Sequence, residues 1–593
     1  MGKWILANKK ADFNGIAKKY KINPVLARIM VNRGITTENE IDQFLYGDVK
    51  DMHNPLLMKD MEKAVAIIAK AINNQNKIAI ATDFDNDGIL SAHSLATAFS
   101  RVGGEAVIYA PDRVSEGYGL NNRIVKEAYA TGIRLIVTCD NGIAALEAIQ
   151  YANSLGMMVV VTDHHEVSFE EDEQGNRHFT LPEAEAIVNP KQSDCCYPFK
   201  GLCGAGVAYK LIEVLYDLFR IPKEELYNLF EYIAIATIAD VMDIVDENRI
   251  IVKKGLKLIQ NTKNKGLRAL IQVNNLNQDK ISAYHIGFVI GPCFNAAGRL
   301  DSVKIALDLL AAQSDEEAFL LAGNLKALND SRKDMTIKGF EQAVTLIESS
   351  DLKNDKIIFV KLEETHESLV GIIAGRIREL YHRPTFVFVD VEEGLKGSGR
   401  SIEVYNMFEG LIKCKNLLDR FGGHPMAAGL SLKKDNLEEL KRKINEDADL
   451  TEEDFVPIVR IDAPMPIGYI SEALIEELEL LEPFGKGNTK PVFAEQHFTI
   501  MKANIIGKNQ NVLKMKIIND SYQSIEALYF GDVEKFSEYV TEQYGMTEVE
   551  KMYQGKLNQV DLAFTYYPSI NEYMGHKTLQ IIIQNYCRVQ KTE

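Results

Sequence analysis

The chain predicts a multidomain α/β protein: a parallel-sheet domain, a long linking helix, a second α/β lobe and a small C-terminal β-barrel. Three observations carry this reading. At 593 residues, 46% hydrophobic and 25% charged, the chain is globular in composition and too long for one core. From Lys77 to about residue 162, continuous Val/Ile runs alternate with amphipathic stretches, which is the pattern of a parallel sheet covered on both faces. Beyond the charged run at residues 441–454 the sequence turns β-rich, notably at Leu579-Gln580-Ile581-Ile582-Ile583, and suits a barrel.

Taken in order, residues 1–70 read as a mostly helical region, with apolar stripes through Val25 to Met30 and Ala64 to Ile68. The first α/β domain is expected over residues 71–313. Its strands are predicted at residues 78–82, 106–110, 135–138 and 158–162, and its first helices at residues 91–102, 122–131 and 143–154. Helical sequence dominates residues 207–350, and residues 314–350, poor in breakers, are expected to form one helix joining two lobes. The second lobe spans residues 351–450, with strands at residues 356–362 and 385–390, the glycine-rich Gly397-Ser398-Gly399-Arg400-Ser401, and a loop at Phe421-Gly422-Gly423-His424-Pro425. Residues 451–593 are assigned to the barrel.

The net charge of −17 argues against a surface that is basic throughout, of the kind that binds duplex DNA nonspecifically, but leaves room for a groove locally lined with Lys and Arg. Part of the acidic excess lies in runs such as Glu170-Glu171-Asp172-Glu173, read as solvated surface. Seven cysteines without paired metal-type spacing, and no apolar leader, predict a reduced, cytosolic protein.

The chemistry gathers at strand ends. Asp83, Asp85 and Asp87 close the first strand, Asp140 closes the third, Asp163-His164-His165 closes the fourth, and Ala239-Asp240 ends a helical segment. In parallel α/β sheets ligands bind beyond the carboxyl ends of the strands. If residues 83–87 are extended, alternate carboxylates face one way, roughly 6–7 Å apart. Such charges repel by about 1–3 kcal/mol per pair at intermediate dielectric unless cations lie between them. Oxygen ligands with imidazole suit hard divalent cations, Mn2+ or Mg2+, rather than a thiolate-rich zinc site. Cys139 is read as a buried strand residue, and Asp243 as a solvated carboxylate or a further ligand. Arg299 follows the small-residue run Asn295-Ala296-Ala297-Gly298, expected to be a loop that admits a ligand to the backbone, and its guanidinium suits a phosphate.

In order and spacing, the four acid segments resemble the signatures of the DHH phosphoesterase superfamily. Glu116-Gly117-Tyr118-Gly119-Leu120-Asn121, Gly204-Ala205-Gly206-Val207-Ala208, Asn295 to Asp301, Gly422 to Gly429 and Glu482 to Asn488 narrow the resemblance to the RecJ exonucleases. The resemblance implies a DHH domain, a DHHA1 domain carrying the Gly-Gly-His segment, an OB-fold, and 5′-to-3′ hydrolysis of single-stranded DNA in repair and recombination. It also implies that Asp85, Asp87, Asp140, His164 and Asp240 ligate two metal ions, with Asp140 bridging, Asp83 beside them and His165 on the scissile phosphate. Arg299, Arg376, Arg400, Ser401, Gly422, Gly423 and His424 are expected to clamp the substrate. Phe484, Lys486, Lys508, Lys514 and Tyr529 are candidates for barrel contacts to the strand. A single-strand-binding protein or a helicase is a candidate partner. Thr82 and Asn86 stand where Gly and a small apolar residue are more usual. Two other readings stay open: a phosphodiesterase of short oligonucleotides or cyclic dinucleotides, and a non-catalytic DNA-binding scaffold.

Overall fold

The structure, a computed structural model, describes residues 2–113, 115–171, 176–573 and 575–589. Asp172 and Glu173 of the acidic run lie outside the described residues. The chain divides into two compact units, residues 48–455 with 485–488, and residues 1–47 with 456–484 and 489–593.

In the larger unit, five parallel strands lie in the order Ala106–Tyr109, Ile78–Ala81, Leu135–Cys139, Met158–Thr162, Ala186–Val188. The central strands are buried on both faces because their side chains alternate between two apolar cores. Ile78, Ile80, Leu135, Val137 and Val160 pack with helices Met61–Asn73, Asn86–Arg101 and Gly204–Phe219. Ala79, Ala81, Ile136, Val159 and Val161 pack with helices Asn122–Ala130 and Leu146–Ser154. Every strand therefore delivers its carboxyl end to one rim, where the acids lie. The fifth strand and the hairpin Phe169–Glu171/Arg177–Phe179 escaped the sequence reading, because three-residue strands carry too little periodicity.

The predicted connector is one helix, Asp315–Glu348, capped by Ser314, whose side chain accepts from the Glu317 N–H at 3.1 Å. At 34 residues it runs about 50 Å. Ala318, Ala322 and Leu325 belong to the core of the first sheet, whereas Ala343 and Ile347 belong to that of the second. The second sheet has the order Arg420–His424, Ala427–Leu432, Gly394–Arg400, Thr385–Val391, Ile358–Leu362, and only its last pair is parallel. Phe421 to His424, expected as a loop, is thus an edge strand, its main chain paired to Ala427–Leu432 despite two glycines of low strand propensity.

In the other unit, Phe493–Ile506, Val512–Asn519, Ser524–Tyr529, His576–Arg588 and Asp561–Tyr573 pair in sequence, and the last returns to the first to close a five-stranded barrel. The expectation of one helical region over residues 1–70 needs correction. Lys3–Leu6 is a strand pairing in parallel with Ile458–Ile461, and Leu26, Ile29, Met30, Ile41 and Leu45 join the barrel's core. Met61–Asn73 instead covers the parallel sheet. Amphipathic periodicity marks a helix's apolar face but not the surface that covers it.

One ion pair is sealed inside the larger unit. Lys210 Nζ lies 2.7 Å from Glu247 Oε1, both side chains fully buried, and Glu247 also accepts from the Tyr197 hydroxyl and, at 2.9 Å, from the His53 N–H. Lys210→Met should cost about 3–5 kcal/mol in chemical denaturation, because it strands a buried carboxylate. A loss under 1 kcal/mol would mean that the pair is solvated.

Candidate metal centre

Beyond strand Ile78–Ala81, Asp83 is buried, and neither of its carboxylate oxygens makes a well-formed hydrogen bond. The chain then enters helix Asn86–Arg101, five residues before the expected start. Asp85 Oδ1 accepts from the N–H groups of Asp87 at 3.0 Å and Gly88 at 3.2 Å, and this cap begins the helix. Residues 83–87 are therefore not extended, and of their three carboxylates Asp83 and Asp85 stay together while Asp87 diverges. Asp87 points elsewhere, with its two oxygens accepting from the Gly204 and Ala205 N–H groups (2.5 and 2.7 Å) at the N-terminus of helix Gly204–Phe219.

Asp140 follows strand Leu135–Cys139 in the left-handed region, φ 60°. Gly204 is required beside it, since a Cβ there would lie 2.6 Å from Asp140 Cβ. His164 Nε2 lies 3.1 Å from Asp140 Oδ1, 3.6 Å from Asp87 Oδ2 and 3.8 Å from Asp240 Oδ2. Asp240 is the residue ending helix Phe230–Ala239. The potential ligand atoms form three groups, Asp83/Asp85/Asp140, Asp87/His164/Asp240 and Asp140/His164/His165, each gathered within 4.8 Å. Asp140 and His164 each belong to two groups, so the site is two adjoining pockets of donors.

Asp163 orients the histidines. Its Oδ1 accepts from the His164 N–H (2.7 Å) and the His165 N–H (3.1 Å) and lies 2.8 Å from His165 Nδ1, while Oδ2 accepts from the Ile143 N–H at 2.9 Å. Tyr118, which sequence reasoning quoted only within a motif, donates its hydroxyl proton to the Asp140 carbonyl and sets its oxygen 3.2 Å from His165 Nε2.

Burial, then the charges of neighbouring aspartates, holds the carboxyls of Asp83, Asp140 and Asp240 well above the ordinary range. Asp87 is raised by burial but partly relieved by His164 and its two backbone donors. Burial pushes His164 down to about 4, leaving a neutral imidazole with a lone pair to offer. For His165 burial opposes protonation, but the Asp163 hydrogen bond and the charges of Asp163, Asp240 and Asp87 prevail and push it up to about 9.

Orphaned oxygens on Asp83 and Asp140, an unpartnered His164 Nδ1 and a donor set of oxygen and imidazole fit hard divalent cations. The thiols of Cys139 and Cys203 are buried and pushed up by burial, so they offer no thiolate. Among the described residues Asp243 joins none of the three groups; its carboxylate lies 3.6 Å from Lys486 Nζ.

The second lobe contributes Gly422, Gly423 and Gly429 to a cleft of about 1190 Å³, whose other wall includes Tyr118, Asn141, Gly142, Asp163 and His165. The small-residue run before Arg299 is helix Gly291–Leu300, not a loop, and its small residues admit protein backbone rather than ligand. A Cβ on Gly298 would stand 1.9 Å from the Phe84 carbonyl oxygen, while Asn295 Oδ1 accepts from the Asn86 N–H (3.0 Å). Asn86 Nδ2 in turn donates to the Gly291 carbonyl (2.8 Å), which explains a polar residue at that position.

Arg299 donates to the Ser368 carbonyl, and burial, with Arg113 and Arg332 adding like charge, pulls it down to about 9. Arg400 Nη1 donates to Ser398 Oγ (3.1 Å) and the Gly399 carbonyl (2.7 Å); Arg376 is exposed and close enough to depress Arg332. Arg113, which no sequence signal marked, lies over the Phe84 ring at 4.3 Å. Ser401 is buried and turned inward, donating to the Tyr405 carbonyl at 2.7 Å, so Ser398 and not Ser401 accompanies Arg400. His424 is exposed and lowered by burial, then by Arg400 and Lys486. Of the barrel candidates, Phe484 and Tyr529 pack against the core, Lys514 pairs with Glu526 at 2.9 Å, Lys508 is exposed, and Lys486 groups with the larger unit.

Fold and donor set together define a protein of the DHH class, and residues 77–237 match the DHH family, N-terminal domain. Residues 354–448 match the DHHA1 domain and residues 461–585 the RecJ OB domain. The chain is 33% identical to the single-stranded-DNA-specific exonuclease RecJ of Escherichia coli over 95% of its own length and 96% of that relative's. It is 36% identical over 88% of its length to the Bacillus subtilis protein so named, but spans about 65% of that relative. A crystal structure of RecJ in complex with Mn2+ from Thermus thermophilus has the same fold, with TM-score 0.81 and 24% identity over 100% of this chain and 80% of that one. The chain belongs to the RecJ family.

The raised carboxyls have a stability consequence. A group whose folded pKa is raised contributes stability at low pH that is lost as pH rises through the raised value. Chelated protein should therefore melt lower at pH 8 than at pH 6. A Mn2+ concentration about 100 times the Kd at pH 8 should restore about 2.7 kcal/mol there, and the same concentration should restore less at pH 6, where protons compete for the carboxylates. Asp83→Asn should melt above wild type in chelator and gain less from Mn2+; a scan showing no difference in chelator would contradict the repulsion.

Proposed function

We propose that the protein hydrolyses phosphodiester bonds of single-stranded DNA from the 5′ end, with two divalent cations, Mn2+ or Mg2+, held by Asp85, Asp87, Asp140, His164 and Asp240. The observation that carries this is the set of adjoining donor groups, which reaches through His165 into a cleft also lined by Gly422, Gly423 and Gly429 of the second lobe. Asp140 lies between the groups and Asp83 beside it. When bound, such a cation pair activates a water in line with the phosphorus and neutralises charge on the phosphoryl oxygens.

The chain's own residues do the rest. Asp163 locks the His165 ring, whose charged form, favoured up to about pH 9, is aimed at the scissile phosphate. Tyr118 holds the Asp140 backbone through its carbonyl. Arg299, Arg376 and Arg400, with Ser398, receive the terminal 5′-phosphate; clustered guanidiniums with few acidic partners repel one another and are relieved by a dianion. Gly422, Gly423 and His424 clamp the strand from the opposite lobe, and a cleft between two lobes excludes a duplex. The barrel holds the strand beyond the cleft. A single-strand-binding protein or helicase supplies the strand, in the cytoplasm, during repair and recombination. Among the described residues no helix is long and apolar enough to cross a membrane.

The test is a digestion course on strands labelled at either end, with and without Mn2+. Mononucleotides should leave the 5′ end only. Asp140→Ala and His164→Ala should keep DNA binding and lose at least roughly a hundred-fold in kcat; unchanged hydrolysis would remove the metal centre from the reaction. Arg400→Ala should raise KM about ten-fold for 5′-phosphorylated strands. It should matter far less for 5′-hydroxyl strands, and an equal effect on both would show that Arg400 does not read the terminal phosphate.

A further inference from the structure

Two aromatic rings outside the cleft are left without a structural use. Tyr284 and Phe288 are 65% and 67% exposed, and stack on each other with centroids 4.9 Å apart and planes 29° from parallel. Phe288 sits on a five-residue π-helical turn, Ile286–Ile290, whose Ile286 and Ile290 are buried and anchor it. Such turns interrupt helices at a cost in hydrogen-bond geometry and gather at functional sites.

The turn abuts the metal centre. A Cβ on Gly287 would touch Ile238 at 3.6 Å, and one on Gly291 would touch Ala239 at 3.3 Å, next to Asp240. Helix Gly291–Leu300 begins at that turn, runs along the acid segment through Asn295 and Gly298, and ends at Arg299. The order along the continuous run from the segment Ala283–His285 through the π-turn and this helix is therefore aromatic pair, aspartates, arginine, with Phe288 and Arg299 about 16 Å apart along the axis. A strand whose 5′-phosphate lies on Arg299 and whose scissile bond lies at the aspartates must carry its next bases toward the pair.

We propose that Tyr284 and Phe288 form a stacking platform for the bases of the strand that lie beyond the first nucleotide on the 3′ side of the scissile phosphate. This rests on the exonuclease reading above. Paired, nearly parallel rings offer the flat π-surface that an unstacked base takes in place of its neighbour, with no sequence preference. The residues before them, Gln278, Asp279, Lys280 and Ser282, are polar.

The test compares two 5′-phosphorylated substrates, a dinucleotide too short to reach the platform and a strand of about 20 nucleotides. Tyr284→Ala/Phe288→Ala should raise KM on the long strand about ten-fold with kcat held. It should leave dinucleotide cleavage unchanged, which also reports an intact fold, and Phe288→Trp should keep the wild-type KM. Unchanged KM on the long strand overturns the proposal and hands the rings to another partner, such as a protein. Equal loss on both substrates overturns it in favour of a structural role. If the wild type cleaves neither substrate, the exonuclease reading itself falls, and the platform with it.

Discussion

Mutual repulsion among buried carboxylates is the constraint on which this structure turns. Asp83, Asp87 and Asp140 are each at most 2% exposed, and Asp240 stands beside them. At an effective dielectric near 20, two such charges 4 Å apart cost about 4 kcal/mol. No fold gathers that much like charge without compensation. Part of it is built in: Asp85 and Asp87 each accept two backbone N–H groups at helix N-termini, where the helix dipole favours an anion. The remainder, centred on Asp83 and Asp140, outweighs the relief from Arg113 and neighbouring backbone N–H groups at Asp83, leaves both carboxyls well above the ordinary range, and calls for cations.

The scaffold explains how the acids are held. A parallel sheet presents all its carboxyl ends at one rim, and covering both faces with helices makes that rim the place where chain turns meet. The acids come from four turns that must approach closely, so the supporting residues are small: Gly204 against Asp140, Gly298 against the Phe84 carbonyl. Asn86 ties the first acid turn to helix Gly291–Leu300 by two donated hydrogen bonds, from its N–H to Asn295 Oδ1 and from its Nδ2 to the Gly291 carbonyl. The same helix carries Arg299, so the acid turn and this guanidinium are positioned by one element.

Charge is partitioned along the cleft. The protein carries a net −17, yet Arg113, Arg299, Arg332, Arg376 and Arg400 lie near enough to influence one another. Burial and like charge lower Arg299 to about 9. A polyanionic strand is thus attracted locally rather than by a long-range basic surface, and selectivity falls to the cleft's shape and contacts.

By itself the sequence determined the parallel sheet, the connecting helix, the second lobe and the barrel, because long Val/Ile runs and uninterrupted helical periods are local signals. It also marked the acid segments, since carboxylates and imidazoles at strand ends have few other uses. Tertiary structure alone decided which acid faces which. Asp85 became a helix cap, Asp87 turned to a helix more than a hundred residues away, and the aspartates divided between two donor groups, because capping overrode the extended spacing. It decided, too, that the small-residue run before Arg299 serves the Phe84 backbone, that Ser401 turns inward, and that the first helices cover the barrel. Such outcomes depend on partners distant in the chain, and periodicity along one segment holds no record of them.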